Sequence, residues 1–123
     1  MCDSNNVDKP LNLSYLEKIS GTNTKFIITT IDLFNSHVPK LMEEIEDAIA
    51  LQNWDKIAFL VHKMKTSFGY LGREDIIEDL LEIEQFALTK VGVANIVFCF
   101  GHVKASINKL SAQLIHYKNQ LAN

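Results

Sequence analysis

Cysteine is scarce in this chain: two residues in 123, Cys2 near the start and Cys99 deep in a helical pattern. Two such thiols make no disulfide framework, and the expected setting is a reducing, cytoplasmic one. Proline is as rare, and only Pro39 falls inside a periodic segment. The longest stretch without a formal charge, Val91 to Val103, is far short of the ~20 apolar residues that a membrane span needs. The opening MCDSNNVDKP lacks the charged-then-apolar build of a signal peptide and is expected to be a disordered lead-in over residues 1–10. Neither charge sign dominates: the formal net charge is −3, and no basic stripe suggests nucleic acid. Motifs are missing too. There is no Gly-rich phosphate loop, no Gly-x-Ser-x-Gly elbow and no zinc-binding cysteine pattern. Four histidines could suggest a metal bundle, but no Glu-x-x-His pair occurs and no two histidines stand at i, i+4, so no metal ligands are assigned.

What the chain has in quantity is helical periodicity. Leu13, Leu16 and Ile19 share one side of a short helix over Leu11–Ser20 that Gly21 ends. Ile27, Ile31, Phe34, Val38, Leu41, Ile45 and Ala48 then recur at alternating spacings of four and three, with Thr22 or Asn23 available as the cap. Pro39 removes one helical hydrogen bond there, so two helices nearly in line, or one kinked helix, are expected. Asn53 opens the next helix and Gly72 closes it, with Trp54, Ile57, Val61, Met64, Phe68 and Leu71 on the buried stripe. From Arg73 to Lys90, Ile76, Leu80, Ile83 and Ala87 point inward, against a solvated acidic face of Glu74, Asp75, Glu78, Asp79 and Glu82. After Gly92 the pattern resumes at Ile96 and holds to Leu121. No strand or repeat interrupts it. Phe26, Ile28, Leu33, Ile77, Leu81 and Val97 widen the stripes beyond a coiled-coil seam. The expected fold is all-α: an antiparallel up-down four-helix bundle with a short extra N-terminal helix, one domain over residues 11–123.

The polar residues of the Asn53–Gly72 segment carry a local pattern. His62 falls off the apolar stripe, on the solvent side. Lys65 and Thr66 lie beside it one turn on, and Gly69 lies a further turn along. His37 also precedes a lysine by three, Lys40, but it flanks the buried stripe and no Ser or Gly follows at useful spacing; a partly packed polar residue is expected there. His102 and His116 lack such neighbours and read as surface residues.

His62, Lys65, Thr66, Ser67 and Gly72 together resemble the signature of histidine-containing phosphotransfer (HPt) domains: a helix-borne His, a Lys three residues later, then Gly, Ser and a further Gly. Thr66 departs from it, standing where the family has its first Gly. The resemblance extends upstream through LNLSYLEKISG, Phe26, Phe34 and Asn53–Trp54, and downstream through Gly72–Leu80. It implies a phosphocarrier without an ATP site of its own. A neutral imidazole nitrogen of His62 would take a phosphoryl group from a receiver-domain aspartate, or a hybrid histidine kinase, and pass it to another receiver. Lys65 would compensate phosphoryl charge; Ala58, Thr66, Ser67 and Gly69 would meet the partner. No cofactor is expected on this chain, Mg²⁺ being brought by the receiver, and a monomer is expected. Two alternatives stand beside this reading. One is a binding-only relative in which Thr66 crowds the site. The other is the phosphoacceptor domain of a histidine kinase, which would place an acidic residue after the histidine, where this chain has Lys63.

Overall fold

The computed structural model describes residues 9–21 and 23–122. Helices α1 (Ser14–Ser20), α2 (Thr24–Ala50), α3 (Trp54–Lys65), α4 (Glu74–Thr89) and α5 (Ala94–Ala122) follow one another, with a 3₁₀ turn, Thr66–Phe68, after α3. Connectors of a few residues force each long helix to reverse on its predecessor. Helix α3 packs against α2 and α4, and α5 closes the ring against α4 and α2. Ion pairs and a hydrogen bond tie the α2–α5 seam in antiparallel register: Lys104 to Glu46 at 3.0 Å, Ser111 to Asn35 at 2.8 Å and Lys118 to Asp32 at 2.6 Å. The bundle is therefore the antiparallel four-helix architecture that the periodicity implies, with α1 packed on α2.

Asparagines start two of the helices. Asn23 Oδ1 accepts from the Phe26 N–H at 3.0 Å and Asn53 Oδ1 from the Lys56 N–H at 3.2 Å, satisfying donors that the first turn leaves unpaired. Thr22, the other cap expected for α2, lies outside the described residues. Helix α2 is unbroken at Pro39, with Val38 and Leu41 buried on either side of it. Pro39 is exposed, and its ring removes the N–H that the Asn35 carbonyl would otherwise accept from.

Several flanking apolar residues expected to widen the buried stripes stay in solvent: Phe26, Leu33, Leu81 and Val97 are 44%, 52%, 42% and 65% exposed. Ile19 is exposed as well, because α1 touches the bundle through Leu13 and Leu16 while its last turn stands at the rim. The acidic face of α4 is only partly solvated. Asp79 is buried, and the Asp75 carboxylate is gripped by the buried Arg73, whose Nε and Nη2 each donate to it at 2.9 Å. Of the expected lead-in only Lys9 and Pro10 are described; the remainder lies outside the described residues. The Lys9 carbonyl accepts from Gln113 Nε2 at 3.0 Å, tying the N-terminal segment to α5. Cys99 is buried and disulfide-bonded, where the sequence suggests no disulfide; Cys2 lies outside the described residues. Among the described residues no helix is long and apolar enough to cross a membrane.

Candidate functional site

Helix α3 ends earlier than its apolar spacing suggests. Ile57, Val61 and Met64 are fully buried, and the stripe continues through Phe68 and Leu71, but the backbone tightens at Thr66 into the 3₁₀ turn. Phe68 reaches the core from that turn and meets Phe34 of α2 edge-on, with ring centroids 5.4 Å apart. His62 and Lys65 thus occupy the last turn of α3, where a cation suits the negative end of the helix dipole.

The imidazole of His62 projects from this turn with its side chain 66% exposed. Its Nδ1 lies 2.9 Å from Glu84 Oε2 on α4, and Lys65 Nζ donates to the other oxygen, Oε1, at 2.7 Å. Both the lysine and the glutamate are largely shielded, so the carboxylate bridges an open ring and a covered ammonium. Burial pushes the Glu84 carboxyl up, but the hydrogen bonds and charges of Lys65 and then His62 outweigh it and hold it below its ordinary value. An ionised carboxylate only accepts hydrogen bonds, so Nδ1 must carry the proton. In the neutral ring that leaves the Nε2 lone pair free and away from Glu84.

Glu84 is the residue that sequence reasoning missed. It sits twenty-two positions beyond His62, on another helix, and no local motif announces it. One signal was available: it continues the line of Ile76 and Leu80 at spacings of four, which leans it toward α3.

The remaining expected residues divide around α3. Ala58 is buried, one turn before His62, and lines a hollow with it on the α4 side. Thr66 and Ser67 face the other way, lining a cleft against α2 with His37, Lys40, Leu41, Glu44 and Lys63. The Thr66 hydroxyl donates to the Lys63 carbonyl at 2.9 Å. Gly69 is exposed just beyond the 3₁₀ turn, and a methyl group built on it would meet only the Thr66 carbonyl, at 3.9 Å. Gly72 is not the cap of α3 but a turn residue at φ +65, packed so tightly under the N-terminal segment that a Cβ there would lie 2.6 Å from the Asn12 carbonyl oxygen. His37 is exposed rather than partly packed, and His102 is half-buried, its ring edge-on to Phe98 at 4.8 Å. His116 is exposed.

No curated protein and no solved structure matches the chain. A family model, the Hpt domain, matches residues 30–113, a span that runs from α2 into α5 and includes His62, Lys65 and Glu84. Members of that family carry phosphoryl groups on histidine in phosphorelays and interact with receiver domains. The match covers well over half of the sequence, and the chain belongs to the Hpt domain family.

Proposed function

We propose that His62 is the phosphoacceptor, taking a phosphoryl group from the aspartyl phosphate of a receiver domain, free or in a hybrid kinase, and returning it to the aspartate of another. The observation that carries this reading is the Nδ1–Glu84 contact at 2.9 Å, which leaves Nε2 of an exposed ring as the free nucleophile. In the transfer, the Nε2 lone pair attacks phosphorus from the side opposite the aspartyl oxygen. The N–P bond forms as the P–O bond breaks, and the donor aspartate leaves as a carboxylate. With phosphorus on Nε2 and the proton still on Nδ1, the ring carries positive charge, which the Glu84 carboxylate is placed to compensate.

Lys65 has two tasks in this scheme. Its ammonium anchors Glu84 at 2.7 Å in the resting site. One turn from His62, it also lies within reach of phosphoryl oxygens gathered at the ring, where fixed positive charge lowers the barrier. Mg²⁺ is assigned to the receiver, whose acidic pocket would meet the last turn of α3. Thr66, Ser67 and Gly69 would stand at the edge of that contact, and Ala58 beneath it. A single copy of the bundle suffices for this role, since all three residues of the site come from one chain.

The test is to mix the purified chain with a panel of phosphorylated receivers and look for acid-labile, base-stable phosphate on His62. The His62→Gln variant keeps its fold, since an exposed ring leaves no core cavity, and takes no phosphate. Phosphate appearing on His37 in that variant overturns the assignment. Tight receiver binding by the wild type without any transfer favours the binding-only alternative, with Thr66 as the obstruction.

A further inference from the structure

Two recesses adjoin on the α2 side of the 3₁₀ turn, and His62 lines neither of them. One is the cleft of about 380 Å³ that Lys40 and Glu44 of α2 share with Lys63 of α3. The other is a hollow of about 300 Å³ walled by Ile19, Phe26, Leu33 and Tyr70. His37, Thr66 and Ser67 line both, so the two run together along the surface. Each has the volume of a small-molecule site, for which about 300–1,000 Å³ is usual.

Three elements build the apolar half. Helix α1 contributes Ile19 from the last turn that stands at the rim. Helix α2 contributes Phe26 and Leu33, seven residues and two turns apart on one face. Tyr70 follows the 3₁₀ turn, and its ring is stacked on Tyr15 of α1 with centroids 6.0 Å apart. The buried Phe34 and Leu71 line the hollow beneath them. The four wall residues are between 42% and 53% exposed, at 44%, 44%, 52% and 49%, so water now covers half of each.

The polar half carries unspent charge. Among the described residues neither Lys40 nor Lys63 makes an ion pair, and the Ser67 hydroxyl has no hydrogen-bond partner. Against the two ammonium groups the cleft sets one carboxylate, Glu44. An anionic group therefore suits the cleft, with Ser67 available to donate to it. An apolar body joined to that group would lie in the hollow alongside. A nucleic acid fits poorly, since it needs a track of cations and the lysines give way to apolar side chains.

We infer that this double recess binds a small anionic amphiphile, its acidic head between Lys40 and Lys63 and its apolar body between Ile19, Phe26, Leu33 and Tyr70. The site is separate from the His62 chemistry and stands whether or not that histidine carries phosphate.

The experiment titrates the isotope-labelled full chain with octanoate, kept below its micelle concentration, and reads backbone amide shifts and Kd. Uncharged octanol and phosphatidylcholine vesicles containing phosphatidylglycerol are the comparison arms. The expected result is saturable octanoate binding, with shifts gathered at Ile19, Phe26, Leu33, Lys40, Lys63 and Ser67. Lys40→Ala/Lys63→Ala should weaken octanoate about tenfold or more and leave octanol unchanged. Leu33→Gln should weaken both. All three positions are exposed, so each variant should melt with the wild type. Absence of saturable octanoate binding overturns the inference, as does an affinity that the lysine variant leaves unchanged. Binding to the vesicles without binding to free octanoate makes this face a membrane contact and overturns it too. Shifts at these residues only when a receiver is added give the face to the receiver, with the same consequence.

Discussion

A carboxylate that accepts from an imidazole on one oxygen and an ammonium on the other links two side chains that the sequence places one turn apart. At Glu84 this bridge does for His62 what nothing on α3 does: it decides which ring nitrogen bears the proton. Replacing Glu84 with alanine frees the ring to exchange tautomers and to rotate, so phosphate acceptance should fall about tenfold to a hundredfold. Glu84→Gln, whose amide oxygen can still accept from Nδ1–H, should lose less. Nitrogen NMR of the His62 ring checks the cause directly: in the wild type the proton sits on Nδ1, and in Glu84→Ala the signal should shift toward a tautomer mixture. A ring that keeps its tautomer in that variant would show the order to come from elsewhere. Lys65→Ala makes the complementary prediction. It should slow transfer more than it weakens receiver binding, because its charge matters most where phosphoryl oxygens gather in the transition state. Titration of receiver affinity beside single-turnover transfer separates the two, and equal losses would make Lys65 a docking residue.

At the scale of the element, the end of α3 is where the spacing of apolar residues and the backbone part company. Val61, Met64, Phe68 and Leu71 keep an unbroken three-four rhythm, and all are buried, yet the α-helix stops at Lys65. Burial patterns report which side chains face the core; they do not distinguish an α-helix from a 3₁₀ turn that delivers the next residue to the same place. The same limit explains the other differences. Positions within one helix, such as His62 and Lys65, were legible because their relation is set by helical geometry alone. Glu84 was not, because its relation to them depends on how far α4 slides along α3. The exposure of Phe26, Leu33 and Val97 has a like origin: a residue beside a stripe is buried only if a neighbouring helix reaches it. Two substitutions probe this end of α3. Gly72→Ala forces a positive φ on a residue with a side chain and drives a Cβ toward the Asn12 carbonyl, so it should destabilise the fold by more than about 1 kcal/mol in urea unfolding. Thr66→Gly removes a β-branched side chain from the exposed surface one turn past His62. It should speed transfer while lowering helix stability by a few tenths of a kcal/mol, roughly. A slower rate would identify Thr66 as an adapted contact with the receiver.

For the molecule as a whole, the buried and bridged carboxylates set opposing dependences on pH. Burial, reinforced by the nearby Asp75 and Glu82, raises the Asp79 carboxyl above its ordinary value of 3.8. A carboxyl whose folded value is raised favours folding when protonated, so its contribution is complete below that ordinary value and declines as pH rises through the folded one. Asp75 and Glu84 behave in the opposite way. Burial raises each, but Arg73 at Asp75 and Lys65 at Glu84 outweigh it and leave both below their ordinary values of 3.8 and 4.5. Their contributions are complete above those values and are lost as pH falls through the lower folded ones. Going down from neutrality, the bundle should therefore first gain stability, as Asp79 takes its proton, and then lose it, as the Arg73–Asp75 and Lys65–Glu84 links are protonated. The expected curve of urea midpoint against pH therefore passes through a maximum. Asp79→Asn removes the titrating group that produces the rising limb, while leaving an amide that occupies the same space. In that variant the gain on acidification should disappear, leaving only the fall that the wild type shows at lower pH. Were the wild-type midpoint to decline steadily from neutrality downward, Asp79 would not be protonating in the folded state in that range, and its burial would have to be compensated by a neighbouring cation.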